Sequence, residues 1–150
     1  MGDIHIDDFY HDIGLILSRL YSAFPNRSTL FVEDISGADT PDEFGIHSDR
    51  FMSCFSAMLW LKDQGYIMIE STIRQEGVEH AVLTEKSFLI LSSQASIMVD
   101  GGVDTEHLPG FVAERAITNI SLLRRALQNK SSIEISRIAF HIMEQSKAYA

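Results

Sequence analysis

The chain has 150 residues, 45% of them apolar, which is enough hydrophobic material for one domain, or a small domain with a terminal extension, and excludes global disorder. Its net charge of −9 sets a repulsive long-range field against nucleic acid and favours a basic protein partner. Cys54 is the single cysteine, which excludes an internal disulfide, and no apolar run approaches the ~20 residues of a membrane-spanning helix.

A cytoplasmic location is expected. The opening Met1-Gly2-Asp3-Ile4-His5 lacks the basic-then-apolar order of a secretory signal, and Ile6 stands where a myristoylation start wants Ser or Thr. The charge is uneven: residues 1–110 hold 18 acidic and 6 basic side chains, a net of −12, whereas residues 111–150 hold 3 and 6, a net of +3.

In chain order, the spacing first predicts a helix over 7–24. Ile13, Ile16, Leu17, Leu20, Tyr21 and Phe24 recur every three or four residues and form one apolar stripe. Asp7 and Asp8 suit the positive end of its dipole, and Pro25-Asn26 ends it. Thr29-Leu30-Phe31-Val32 reads either as a short first strand or as the start of a second helix. Residues 36–47 are acidic and turn-rich. They predict a surface loop longer than a usual helix–helix connection, with either a short helical turn around 41–44 or a functional insertion.

A second helix is predicted over 48–64, ending at Gly65. Tyr66, Ile67, Met68, Ile69 and Ile73 are strand formers, Gln75-Glu76-Gly77 supplies a turn with Gly77 at positive φ, and 78–83 returns as a strand. Thr84 then caps a further helix containing Phe88, Leu89 and Leu91, and Gly101-Gly102 breaks the chain. Two C-terminal helices are expected at about 110–129 and 132–149. The apolar stripe of the last (Ile135, Ile138, Ala139, Ile142, Met143) must be covered by the body or by a second subunit.

Two passages in this order resemble winged helix-turn-helix domains of MarR-type and PadR-type bacterial regulators. Leu61-Lys62-Asp63-Gln64-Gly65-Tyr66-Ile67 is similar to the ending of their recognition helix. Val82-Leu83-Thr84-Glu85-Lys86-Ser87 is similar to their passage from wing to following helix, with Ser87 where Gly is common. The resemblance covers about residues 10–95. It implies a mostly helical α+β fold, with a winged-helix core over 1–95, a β-hairpin wing at 74–80, and a C-terminal helical extension over 96–150 packed on the core. It also implies DNA binding through helix 48–64, and a homodimer through the C-terminal helices.

A helical projection at about 100° per residue separates two faces of 48–64. Phe51, Cys54, Phe55, Met58 and Leu61 fall on the core side; Asp49, Ser53, Ser56, Trp60, Asp63 and Gln64 fall opposite. The outer face has no central Lys or Arg, the side chains that anchor phosphates and most often read bases. Arg50 lies at its flank and Lys62 near the core side. Asp49, Ser53, Ser56, Trp60 and Asp63, with loop 39–44, therefore form the expected site of a non-enzymatic module that binds protein. The alternative is a DNA-binding regulator using Arg50, Ser53, Ser56 and Gln64 with Arg74 and His80 on the wing. Trp60 itself reads either as core or as a binding anchor.

The remaining constellations point to no chemistry. His5, Asp7, Asp8, His11 and Asp12 form an acidic helix start rather than a zinc site, which needs three or four converging ligands. Cys54 projects to the core, so a structural cysteine is expected rather than a nucleophile paired with His47. Ser131-Ser132 is a helix cap, and Gly101-Gly102 lacks the Lys-Ser/Thr of a phosphate loop. No cofactor and no enzymatic activity are expected. Arg124, Arg125, Lys130 and Arg137 give the C-terminal helices a basic side, read as complementary to the acidic body.

Overall fold

The computed structural model describes residues 3–95 and 117–149, and among these the fold is a mostly helical α+β arrangement around one four-stranded antiparallel sheet. Helix α1 spans Ile4–Ala23, three residues earlier than its stripe suggests, because Asp3 takes the extended cap conformation and Asp7 falls in the first turn. Its buried face carries Ile13, Ile16, Leu17 and Leu20. The ambiguous run after it is both things in succession: strand β1 (Ser28–Phe31), then the short helix α2 (Val32–Ser36). The switch falls at Val32, whose amide turns to the carbonyl of Glu76 at 2.8 Å.

The connection to α3 (Asp49–Asp63) contains no helix around 41–44. Asp42 Oδ1 instead accepts from the amides of Phe44 (2.8 Å) and Ile46 (2.9 Å) and closes a tight turn. Ser48 caps α3 by accepting from Phe51 N at 3.2 Å. At the other end Gly65 has φ +79°, Gly65 N donates to Lys62 O and Tyr66 N donates to Leu61 O. That pair of bonds is the Schellman ending, which needs a residue at ease in the left-handed region.

The hairpin is one register interrupted once. Strands β2 (Ile67–Met68) and β3 (Ser71–Ile73) both pair antiparallel with β4 (Gly77–Leu83), Ile67 opposite Leu83, Ser71 opposite Glu79 and Ile73 opposite Gly77. β1 takes the other edge of β4, and its register slips by one residue between Ser28 and Leu30. On β4 the slip lies beside His80, whose φ of +55° marks a bulge.

Gly77 does not take the expected positive φ; that conformation belongs to Arg74 (φ +49°) in the turn. Glycine is required at 77 for space, since a Cβ there would meet the Leu30 carbonyl oxygen at 2.3 Å.

Thr84 caps α4 (Glu85–Ser92) and its hydroxyl donates to the Gly65 carbonyl at 2.7 Å, tying the end of the hairpin to the end of α3. Helix α5 (Asn119–Asn129) follows an extended Thr118, which caps it through Ser121 N. The expected start at 110 and the break at Gly101-Gly102 lie outside the described residues. Ser131 caps α6 (Ser132–Gln145), which tightens into a 3-10 turn over Ser146–Tyr149.

One hydrophobic cluster joins α1, the sheet, α3, α4, α5 and α6. The stripe of α6 (Ile135, Ile138, Ala139, Ile142) is buried within the chain, so the body covers it. Among the described residues no helix is long and apolar enough to cross a membrane.

Candidate interaction surface on helix α3

The projection of α3 holds in three dimensions. Phe51, Cys54, Phe55, Met58 and Leu61 are buried, Asp49, Ser53, Ser56, Asp63 and Gln64 are exposed, and Trp60 is half-buried. Lys62 is exposed rather than held near the core. Asp49, Ser53, Ser56 and Trp60 line one groove of about 660 Å³, together with Met52 and Ala57 of α3 and His5, Ile6, Phe9 and Asp12 of α1. Asp63 lies one helical turn beyond Trp60, outside that lining.

Trp60 is held in place and lines the groove at the same time. Its ring meets Phe9 edge-on (5.2 Å between centroids, 81° between planes) and lies over Tyr66 (6.0 Å, 23°). Tyr66 is fixed in turn: its hydroxyl donates to Ser146 Oγ at 2.8 Å. Lys86 Nζ sits 4.3 Å above the Tyr66 ring and donates to the Gln64 carbonyl at 2.8 Å, capping the negative end of α3. The ring is thus packed on one side and open to the groove on the other.

Arg50 has a partner that its sequence neighbours do not announce. Its guanidinium donates both ways into Asp12 of α1, Nη1 to Oδ2 and Nη2 to Oδ1, each at 2.7 Å, with Asp8 3.6 Å from Nε. Asp12 is 1% exposed. Burial pushes its carboxyl upward, but hydrogen bonds from His11 and Arg50 and their charges outweigh that and hold it below the ordinary 3.8. The pair clamps α1 to α3 at one end of the groove.

The other residues of the DNA-binding alternative lie on three elements. Ser53 and Ser56 lie in the groove, Gln64 at the end of α3, and Arg74 exposed in the turn between β3 and β4. His80 Nδ1 contacts Glu70 across the hairpin.

Loop 39–44 splits in two. Asp39 is drawn inward and accepts from Ser48 N at 3.0 Å, while Phe44 stands 79% exposed. His47 closes the loop. Its Nδ1 lies 2.9 Å from Asp39 and its Nε2 2.7 Å from Glu76, and its ring stacks on Phe51 at 3.8 Å. Two carboxylates accept from two ring nitrogens only if both carry protons, so the geometry selects the imidazolium. The hydrogen bonds to Glu76 and then Asp39 raise its pKa above 6.5, while those from Ser48, hydroxyl then amide, lower that of Asp39.

Cys54 is buried, and burial pushes its thiol up to about 12, so it is a packing residue. Among the described residues no three His, Cys, Asp or Glu side chains converge as metal ligands would. Of the expected basic side, Arg124 donates to Ser22 Oγ at 3.0 Å and lies 5.2 Å from the centre of the Tyr21 ring. Lys130 lines a hollow with Asp7, Asp8 and His11.

The groove's α1 wall escaped the sequence reading. Its signal is present, since Ile6 and Phe9 continue the Ile13-Ile16-Leu20 stripe toward the N-terminus at the same spacing. No protein-family model, curated protein or solved structure matches this chain.

Proposed function

We propose that this chain is a non-enzymatic interaction module with a winged-helix-like core, which binds a protein partner through the outer face of α3 and the groove that α3 forms with α1. The fold part of the reading is supported by the order α1–β1–α2–α3–β2/β3–β4–α4 and by β1 pairing with β4 beside the hairpin. One observation carries the functional part. The outer face of α3 opens onto an apolar groove bearing Trp60, while Arg50, the cation at the start of the helix, is engaged by Asp12. A ring in a recess beside exposed Asp49 and Asp63 suits protein contact and repels phosphate.

The same reading includes a homodimer through the C-terminal helices. With the inner stripe of α6 covered, the apolar surface left on α6 for a second copy is Ile133 (71% exposed) and Phe140 (51% exposed). The DNA-binding alternative retains Arg74 on the exposed turn and Gln64 at the end of α3.

The test places a photo-crosslinking phenylalanine analogue at Ser56 and, as a control, at Glu33 of α2. Anisotropy with nonspecific duplex DNA at low salt runs in parallel. A protein adduct from Ser56, absent from Glu33, with no DNA affinity supports the proposal. DNA affinity that falls steeply with salt, with no protein adduct, overturns it.

A further inference from the structure

We infer that the α1–α3 groove takes an amphipathic partner helix of about four turns, cationic at both ends and apolar in its middle; this rests on the protein-binding reading above. Asp49, Ser53, Ser56, Trp60 and Asp63 follow one another at spacings of four, three, four and three, which sets them in one line along α3. At 1.5 Å per residue the line is about 21 Å long. A carboxylate stands exposed at each end.

Between the carboxylates the chemistry changes. Ser53, Ser56 and Ala57 are small, and small side chains let a second backbone approach closely. Beside them stand the Trp60 ring and the Met52 thioether, which are rigid and adaptable apolar contacts respectively. Arg50 is next to Asp49 in sequence, yet its guanidinium is turned to Asp12 and Asp8.

The walls of the groove are two helices, whose ridges at three- and four-residue spacing accept the ridges of a third. An extended segment finds its partner at a sheet edge instead. The net charge of −9 steers a cationic segment toward the surface.

Trp60 is the only tryptophan in the chain, so the protein's tryptophan emission comes from the wall of the groove. The experiment titrates the full chain with three tryptophan-free, helix-stapled peptides that share an apolar middle and end in Lys, Ala or Glu. The Lys-ended peptide should shift Trp60 emission saturably and bind on the order of tenfold tighter than the Ala-ended one, from a few-fold at each exposed end. Added salt should erase that advantage, and the variant Asp49→Lys with Asp63→Lys should invert the ranking.

Equal binding of all three peptides would overturn the charge assignment while leaving a protein-binding face in place. No saturable shift with any of them would overturn the helical occupant. The Ser56 crosslink, which uses no peptide, then decides separately whether the underlying reading survives.

Discussion

Removing the Arg50 guanidinium should damage this protein more than removing the carboxylate it binds. Asp12 is 1% exposed, whereas the Arg50 side chain is 32% exposed. In Arg50→Met the carboxylate stays behind in the interior with His11 beside it, at 3.2 Å, and the neutral Cys54 thiol as its other neighbour. Stranding one member of a buried pair costs about 3–5 kcal/mol, and His11 brings the expectation to the lower end. In Asp12→Asn the guanidinium can swing to water, and the loss is nearer the ~1.5–3 kcal/mol of its charge-assisted bonds. The double variant should be less destabilised than the sum by about 1 kcal/mol or more, because the partners act together.

A pH signature accompanies this. In the native chain Asp12 has a lowered pKa, so its contribution is present above the ordinary 3.8 and lost as pH falls through the lowered value. In Arg50→Met burial dominates and the pKa rises, so the variant should regain part of its lost stability on acidification. Urea unfolding of the four proteins, followed by circular dichroism at neutral and mildly acidic pH, measures all of this. Equal losses in the single variants, strict additivity, or a deficit below ~1 kcal/mol for Arg50→Met would refute the clamp.

Three further expectations follow from other sites. His47 has a raised pKa, so its bridge contributes stability fully present below the unfolded 6.5 and lost as pH rises through the folded value; melting temperature should drop across that window, and His47→Gln should flatten the drop. Gly77→Ala places a methyl 2.3 Å from the Leu30 oxygen and should cost at least the ~1–3 kcal/mol of overpacking, since backbone must move; an unchanged urea midpoint would mean that β1 does not lie as described. Phe140→Asp should convert a sedimenting dimer to monomer without lowering the melting temperature, and a wild-type monomer would remove the C-terminal dimer altogether.

Much of this fold can be read locally because its boundaries are signed by single residues. Ser48 and Gly65 bracket α3, and Thr84 starts α4, each through bonds to a neighbour within five residues. The site's outer face follows equally well, since a helix with one buried side fixes where the others point. What escapes is what long-range contact decides. Val32 opens α2 with no side-chain cap, against a carbonyl 44 positions away. Asp12 and Arg50 are 38 apart, and nothing near either marks it as the other's counterion. Gly77 looks like a turn glycine and is a contact glycine, a distinction that exists only once β1 lies against it.

The clamp also links the stability of the fold to the character of the surface. An arginine with a free guanidinium on an exposed helix face can hold a phosphate or read a base edge. Here two short bonds to a buried carboxylate hold it across α1. Releasing it toward DNA would leave Asp12 uncompensated, so the same ~3–5 kcal/mol that the mutation exposes stands as a penalty against that use of the helix. What lines the groove on the α3 side is then Asp49, the serines and the Trp60 ring, beside the α1 wall that the clamp holds. The one ion pair thus turns Arg50 away from the outer face of α3 and ties α1, the second wall of the groove, to α3. Loosening that pair should alter Trp60 emission before the core melts.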